Sequence, residues 1–148
     1  MDQEEVIKQQ FIDKFGIALD KINIKRSRRM SLEVDSNILN DMLEYAIKQA
    51  EFVMLSAITG IDEGQTLGII YHLGREDGIV LNLKTSVPKD NPLLNTVINY
   101  FPCAEVYERE LVDLLGINVQ GLPKGNRYPL TDDWPVGQYP LRKDWKAT

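Results

Sequence analysis

Between residues 52 and 83 the chain runs through three strand-like stretches, 52–61, 66–73 and 78–83, parted only by Asp62-Glu63-Gly64 and Arg75-Glu76-Asp77-Gly78. Both separators place Asp and Gly where a backbone must reverse. Strands joined by turns this short pair antiparallel. This run of hairpins constrains the fold more than any other feature.

The flanking segments complete the pattern. Val6, Ile7, Phe11, Ile12 and Phe15 recur at helical spacing and stop at Gly16, which predicts a helix over 4–15. Residues 20–26 alternate, Ile22 and Ile24 against Lys21, Asn23 and Lys25, and Met30-Ser31-Leu32-Glu33-Val34 alternates again, so a hairpin is expected. Asp35 or Ser36 then caps a helix running to about residue 51, with Ile38, Leu39, Met42, Leu43, Ala46 and Ile47 on one face. Beyond Pro88 and Pro92, residues 93–100 suit a short helix, and Pro102 opens another that reaches Leu115 and ends at Gly116. The order α-β-β-α-β-β-β-α-α predicts an α+β fold: a two-layer sandwich in which a mainly antiparallel sheet of about five strands carries helices on one face.

After Gly116 neither period persists. Residues 117–148 hold four of the seven prolines, both tryptophans (Trp134 and Trp145), Tyr128 and Tyr139. Compact domains seldom carry structureless loops beyond about 12–15 residues, and disordered tails are poor in aromatics. The chain therefore divides into an α+β domain, 1–116, and an extended irregular C-terminal arm, 117–148, that buries its rings against something. Its own domain is one candidate surface. A partner is favoured, because an extended segment offsets its ordering entropy mainly on a large surface.

Composition excludes several classes. Seventeen Lys and Arg against 22 Asp and Glu leave a net charge of -5, which argues against a nucleic-acid binder, since phosphate neutralisation needs surplus cations. One cysteine and one histidine are too few for an iron–sulfur cluster or structural zinc site, each needing about four ligands. No window approaches the roughly 18 consecutive apolar residues of a membrane span, and the acidic start MDQEEVIKQQ lacks a secretory pattern. A soluble intracellular chain is expected, touching a membrane only indirectly.

Candidate chemistry is sparse. Cys103 stands at a helix start, but nothing brings the lone His72 to it as a base, so both read as structural. The basic run Lys25-Arg26-Ser27-Arg28-Arg29 lies at a hairpin tip, where such runs are commonly a solvated turn and less often meet an acidic partner or anionic headgroups. The 102–115 helix is richer. Tyr107, Leu111, Leu114 and Leu115 form its apolar stripe, while Arg109 stands four residues from both Glu105 and Asp113 and can lie between them. Glu108 and Glu110 add acid that one arginine cannot neutralise, which points to carboxylates presented to basic groups across an interface.

Glu108-Arg109-Glu110, then Asp113-Leu114-Leu115-Gly116-Ile117 and Gly121-Leu122-Pro123, resembles the signature of the thirty-kilodalton subunit family of respiratory complex I (NADH:quinone oxidoreductase). The closing Asp132-Asp133-Trp134 and Tyr139-Pro140-Leu141-Arg142-Lys143-Asp144-Trp145 resembles the end of that family, which includes the small subunit of energy-converting nickel–iron hydrogenases. Leu122-Pro123 replaces the family's His-Pro, and Lys124-Gly125-Asn126-Arg127 replaces its Asp-Leu-Arg-Arg, leaving Arg127 alone in its role.

The resemblance implies a peripheral-arm subunit with no cofactor of its own, on the cytoplasmic face of the cell membrane. Iron–sulfur clusters, and a quinone, flavin or nickel–iron site, would belong to partner subunits. Docking would be on the large subunit, the one related to the hydrogenase large subunit, beside cluster-bearing subunits. Glu108, Arg109, Glu110 and Asp113 would hold the base of the arm, and Pro123, Arg127, Trp134, Pro140, Leu141, Arg142 and Trp145 would dock the arm itself. The rivals are a stand-alone enzyme using the acidic helix for acid–base chemistry, and a self-contained interaction module outside any respiratory complex.

Overall fold

A computed structural model describes residues 2–147. The helices are α1 (Gln3–Phe15), α2 (Leu39–Lys48) and α3 (Ala104–Leu115). The strands are β1 (Ile22–Arg26), β2 (Arg29–Glu33), β3 (Met54–Asp62), β4 (Thr66–Gly74), β5 (Val80–Pro88), β6 (Leu93–Asn95) and β7 (Asn118–Gln120). The first five strands form one sheet in the order β1-β2-β5-β4-β3, and β6 and β7 form a second, two-stranded one.

The expected hairpins are present. β1 pairs antiparallel with β2, Ile22 opposite Leu32 and Ile24 opposite Met30, while β3, β4 and β5 are consecutive neighbours across the two short turns. β5 alternates strictly, with Leu81, Leu83, Thr85 and Val87 buried and the residues between them half-buried. One side of the sheet is thereby dry.

Four features depart from the sequence pattern. β2 runs parallel to β5, Arg29 opposite Val80 through Glu33 opposite Lys84; the long stretch from 34 to 79 supplies the crossover that parallel pairing requires. The segment 93–100, expected as a helix, begins with β6, whose backbone pairs in parallel with β7. So short an apolar run carries no period of its own, and its distant partner decides its state. Asp35 does cap, its carboxylate accepting the Asn37 amide, but the first turn is a 3-10 helix over Ser36–Ile38 before α2 begins. α2 stops at Lys48, short of residue 51.

Two compact units share the chain. The first comprises the chain up to Ser56 together with Ile70–Thr85. Ile7, Phe11, Ile22, Met30, Met42, Leu43, Tyr71 and Leu81 are fully enclosed in it, and Tyr45 meets the Phe11 and Phe15 rings edge-on at 5.3 Å.

The second comprises Ala57–Ile69 and the described residues from Ser86 onward. Leu111 and Leu115 of α3 lie over Gly60 of β3, where any Cβ would overlap both side chains. The glycine lets the helix approach the strand closely. Val97, Phe101, Ala104, Ile117 and Val119 close the same core. The 116/117 boundary therefore cuts through this core, since Ile117 and Val119 belong to it. Irregular chain begins at Gly121.

Candidate functional site

The acidic helix and the segment after it form one construction. α3 ends at Gly116, whose φ of 73° is left-handed, a conformation glycine adopts without penalty. The Tyr139 ring covers it so closely that a Cβ there would stand 2.5 Å from Cε2. Helix ends leave carbonyls without intrahelical partners. Here the returning chain supplies them: the Leu141 amide donates to the Leu114 carbonyl at 3.0 Å, and Arg142 Nε donates to the Leu115 carbonyl at 2.7 Å. The Arg142 guanidinium also lies 5.0 Å from the Tyr139 ring centroid, a cation–π distance.

The carboxylates of α3 act internally. Glu108 is fully buried; its two oxygens accept the Thr96 hydroxyl and, at 3.0 Å, the Val97 amide. Burial pushes its pKa up, and these hydrogen bonds oppose the shift. Arg109 does not bridge Glu105 and Asp113. It donates to Glu105 at 2.8 Å and to the Pro123 carbonyl at 2.7 Å, whereas buried Asp113 accepts the Leu130 amide at 3.0 Å and faces Arg127 Nε at 3.5 Å. The expectation that Glu108 and Asp113 face a partner's cations is corrected by this burial: each commits its oxygens to the chain that must pass beside α3. Glu110 stays half-exposed.

The remaining residues singled out from the sequence also fold inward on each other. Arg127 donates to the Trp134 carbonyl. The Trp134 and Trp145 rings lie 5.7 Å apart, and Gln138 accepts both indole N–H groups, one on its carbonyl at 2.8 Å and one on its side chain at 3.3 Å. Pro140 is half-buried. Yet no residue from 121 to 147 is fully buried. Tyr128 is 46%, Leu141 54% and Val136 96% exposed, so apolar surface is left over after the segment has folded back.

Asp62 carries no functional expectation from the sequence. Its side chain is 1% exposed and accepts Lys89 Nζ at 2.7 Å, the Gly64 amide at 2.8 Å and the Lys143 amide at 2.8 Å. The Lys89 ammonium, then the two amides, hold its carboxyl far below the usual carboxylate range, and the same pair raises the Lys89 pKa. In the sequence it is only an Asp-x-Gly turn, which accounts for the Gly64 bond and gives no sign of the Lys143 one.

Other candidates resolve quietly. Cys103 is exposed at the start of α3, and His72 Nδ1 lies 2.7 Å from Asn82 Oδ1. The basic hairpin tip shares a pocket with Asp2, Glu4, Glu5 and Asp77, and Glu4 accepts the Arg28 amide at 2.6 Å. Acidic side chains therefore stand against Arg26 and Arg28 of the run. Among the described residues no three His, Cys, Asp or Glu side chains are grouped to hold a metal ion, and no helix is long and apolar enough to cross a membrane.

Residues 32–148 match the family model described as respiratory-chain NADH dehydrogenase, 30 Kd subunit. The chain belongs to this family. The C subunit of the F(420)H(2) dehydrogenase of Methanosarcina mazei is 32% identical to this family member over 150 residues, covering 99% of the chain and 94% of the relative. Membrane-bound hydrogenase subunit beta of Pyrococcus furiosus is 37% identical over 90 residues, 58% of the chain and 52% of the relative. In the structure of the archaeal membrane-bound sulfane sulfur reductase, described as a respiratory membrane complex, one chain superposes with a TM-score of 0.86 and 30% identity, covering 98% of this chain and 86% of that one.

Proposed function

We propose that this member of the respiratory-chain family is a peripheral-arm subunit, without a catalytic site of its own, of a membrane-associated ion-pumping oxidoreductase, and that it docks on the large subunit of that complex. It supports electron transfer by assembly, fixing the positions of neighbouring subunits that would carry the iron–sulfur clusters and the quinone, flavin or nickel–iron site. The chain itself would meet the cytoplasmic face of the membrane only through the complex.

One observation carries this reading: the segment 121–147 is ordered by polar bonds yet buries none of its residues and leaves Tyr128, Val136 and Leu141 outside. Apolar surface presented on a fixed backbone is what an interface core uses. The equivalent role in an energy-converting hydrogenase is supported by the likeness to the hydrogenase subunit. The two readings share the docking surface and differ in the companions.

The test is a tagged chain purified in mild detergent from its native membranes, with companions identified by mass, beside a variant ending at Gly121. The shortened chain retains β7 and the α3 core. Loss of the large subunit from the shortened chain is the expected result; retention at normal yield overturns the docking reading.

A further inference from the structure

We propose that Asp62 is a latch: it fastens the end of the C-terminal segment and so closes residues 121–140 into a loop of fixed shape, making Asp62 a positioning residue for docking without contacting a partner itself. The consequence for docking rests on the function proposed above. The latch itself does not.

The attachment is concentrated in four consecutive residues. The Leu141 amide donates to the Leu114 carbonyl, the Arg142 side chain to the Leu115 carbonyl, and the Lys143 amide to Asp62 Oδ2. The Asp144 carboxylate lies 3.5 Å from Lys89 Nζ, the ammonium that also pairs with Asp62. Two of the four anchors therefore converge on one carboxylate and its counter-ion. The other two converge on the end of α3.

A turn does not need this. The Gly64 amide is an ordinary partner for an aspartate two residues earlier, and one lysine suffices to neutralise the charge. The Lys143 bond spans 81 positions of sequence and contributes nothing to the turn; beside the Leu141 and Arg142 bonds to α3 it ties the far end of the segment to β3 as well. Without it the far end is held to α3 alone, the stretch beyond the Arg109–Pro123 and Asp113–Leu130 contacts keeps more conformational freedom, and docking on a partner must also order it. With it that ordering is achieved within the chain, and Tyr128 and Val136 are presented ready-made.

Asp62 must be ionised and doubly accepting at Oδ2 to do this. Asp62→Asn keeps the size but removes the charge that holds Lys89 and leaves one acceptor oxygen, so its amide nitrogen must face either the Gly64 amide or the Lys89 ammonium and the Lys143 amide. Full-length chain is compared by hydrogen exchange at single-residue resolution and by limited trypsin digestion, which reads the bonds after Arg142 and Lys143. In Asp62→Asn the Lys143 amide is expected to exchange about tenfold faster or more, with matching acceleration of cleavage, while the α3 and β5 amides keep their protection. Arg142→Leu leaves Asp62 untouched and provides a second handle on the same four-residue unit; it too should free the Lys143 amide. Unchanged Lys143 exchange in Asp62→Asn overturns the latch, and so does release of Leu141 in Arg142→Leu with Lys143 still protected.

Recovery of the large subunit with tagged Asp62→Asn from native membranes tests the consequence. It should fall severalfold relative to wild type without reaching the loss expected of the chain ending at Gly121. A freed segment with wild-type recovery overturns the pre-organising role. Wild-type recovery with the shortened chain overturns docking instead, a result distinguishable from failure of the latch.

Discussion

The first unit and the segment 121–147 are ordered by different forces. In the unit that contains α1 and α2, order follows from enclosed apolar side chains: Ile7, Phe11, Met42 and Leu43 have no exposed surface, and its exposed ion pairs, such as Lys48 with Glu44 at 2.6 Å, contribute only tenths of a kcal/mol. In 121–147 nothing is enclosed, and position is set by Arg109 on the Pro123 carbonyl, Asp113 on the Leu130 amide, Arg142 on the Leu115 carbonyl and Asp62 on the Lys143 amide. A core stabilises itself. Polar anchors fix where a segment lies while leaving its apolar side chains free for another surface.

The comparison breaks most visibly at Phe11. Phe11→Ala empties a fully buried site walled by Tyr45 and Phe15 and should cost about 3–5 kcal/mol in denaturant unfolding. A loss under about 1 kcal/mol would mean that the first unit is not held by its core.

Glu108 tests the polar side of the contrast. Glu108→Ala leaves the Thr96 hydroxyl and the Val97 amide without their acceptor inside the protein, at a cost of about 2 kcal/mol. Glu108→Gln retains one acceptor and should lose much less. If the two substitutions were equally harmful, charge and not hydrogen bonding would be what matters at this site.

pH separates Glu108 from Asp62 by sign. Glu108 has its pKa raised above the ordinary 4.5 by burial, so its favourable contribution is complete below that value and is lost as pH climbs through the raised one. Asp62 is held below its ordinary 3.8 by Lys89 and the Lys143 amide. Its contribution is present above 3.8 and disappears as pH falls through the depressed value. Urea midpoints measured from about pH 3 to 7 should show Glu108→Gln gaining on wild type as pH rises. Asp62→Asn should show its full deficit from neutrality down to about pH 4 and only begin to close on wild type at the acid end of the range. Parallel profiles for the two variants would contradict both assignments.

What the sequence reveals follows the same division. α1, the three hairpins and α3 are written in periods of 3.6 and 2 and in turn residues such as Asp62-Glu63-Gly64, because burial of alternate positions made them. The expected helix at 93–100 fails because Leu93-Leu94-Asn95 carries no period, and only its pairing with Asn118–Gln120 makes it a strand. The parallel pairing of β2 with β5 is invisible for the same reason: the partners are some fifty positions apart. At the site, the residues of α3 and the closing motif are recognisable by type, but their directions are not. Arg109 lies within reach of Glu105 and Asp113 by spacing, and the Pro123 carbonyl outcompetes Asp113 for it. The Lys143 anchor is a backbone amide, which any residue but proline offers, so no side-chain pattern could mark it.

The smallest expected effect on folding is also the sharpest test of the comparison. Val136 is 96% exposed, so Val136→Asp should shift unfolding by no more than about 0.5 kcal/mol and leave the Lys143 amide as protected as before. If polar anchors hold the segment so that its apolar residues serve another surface, the same substitution should sharply reduce recovery of the large subunit, because a carboxylate carried into an apolar contact must lose its hydration without gaining a partner. Unchanged folding with reduced recovery would place the role of Val136 outside the chain. Unchanged folding with full recovery would remove Val136 from the docking surface and leave Tyr128 and Leu141 to carry it. A loss of folding would show that this side chain is enclosed after all, and the two regions would then differ in degree and not in kind.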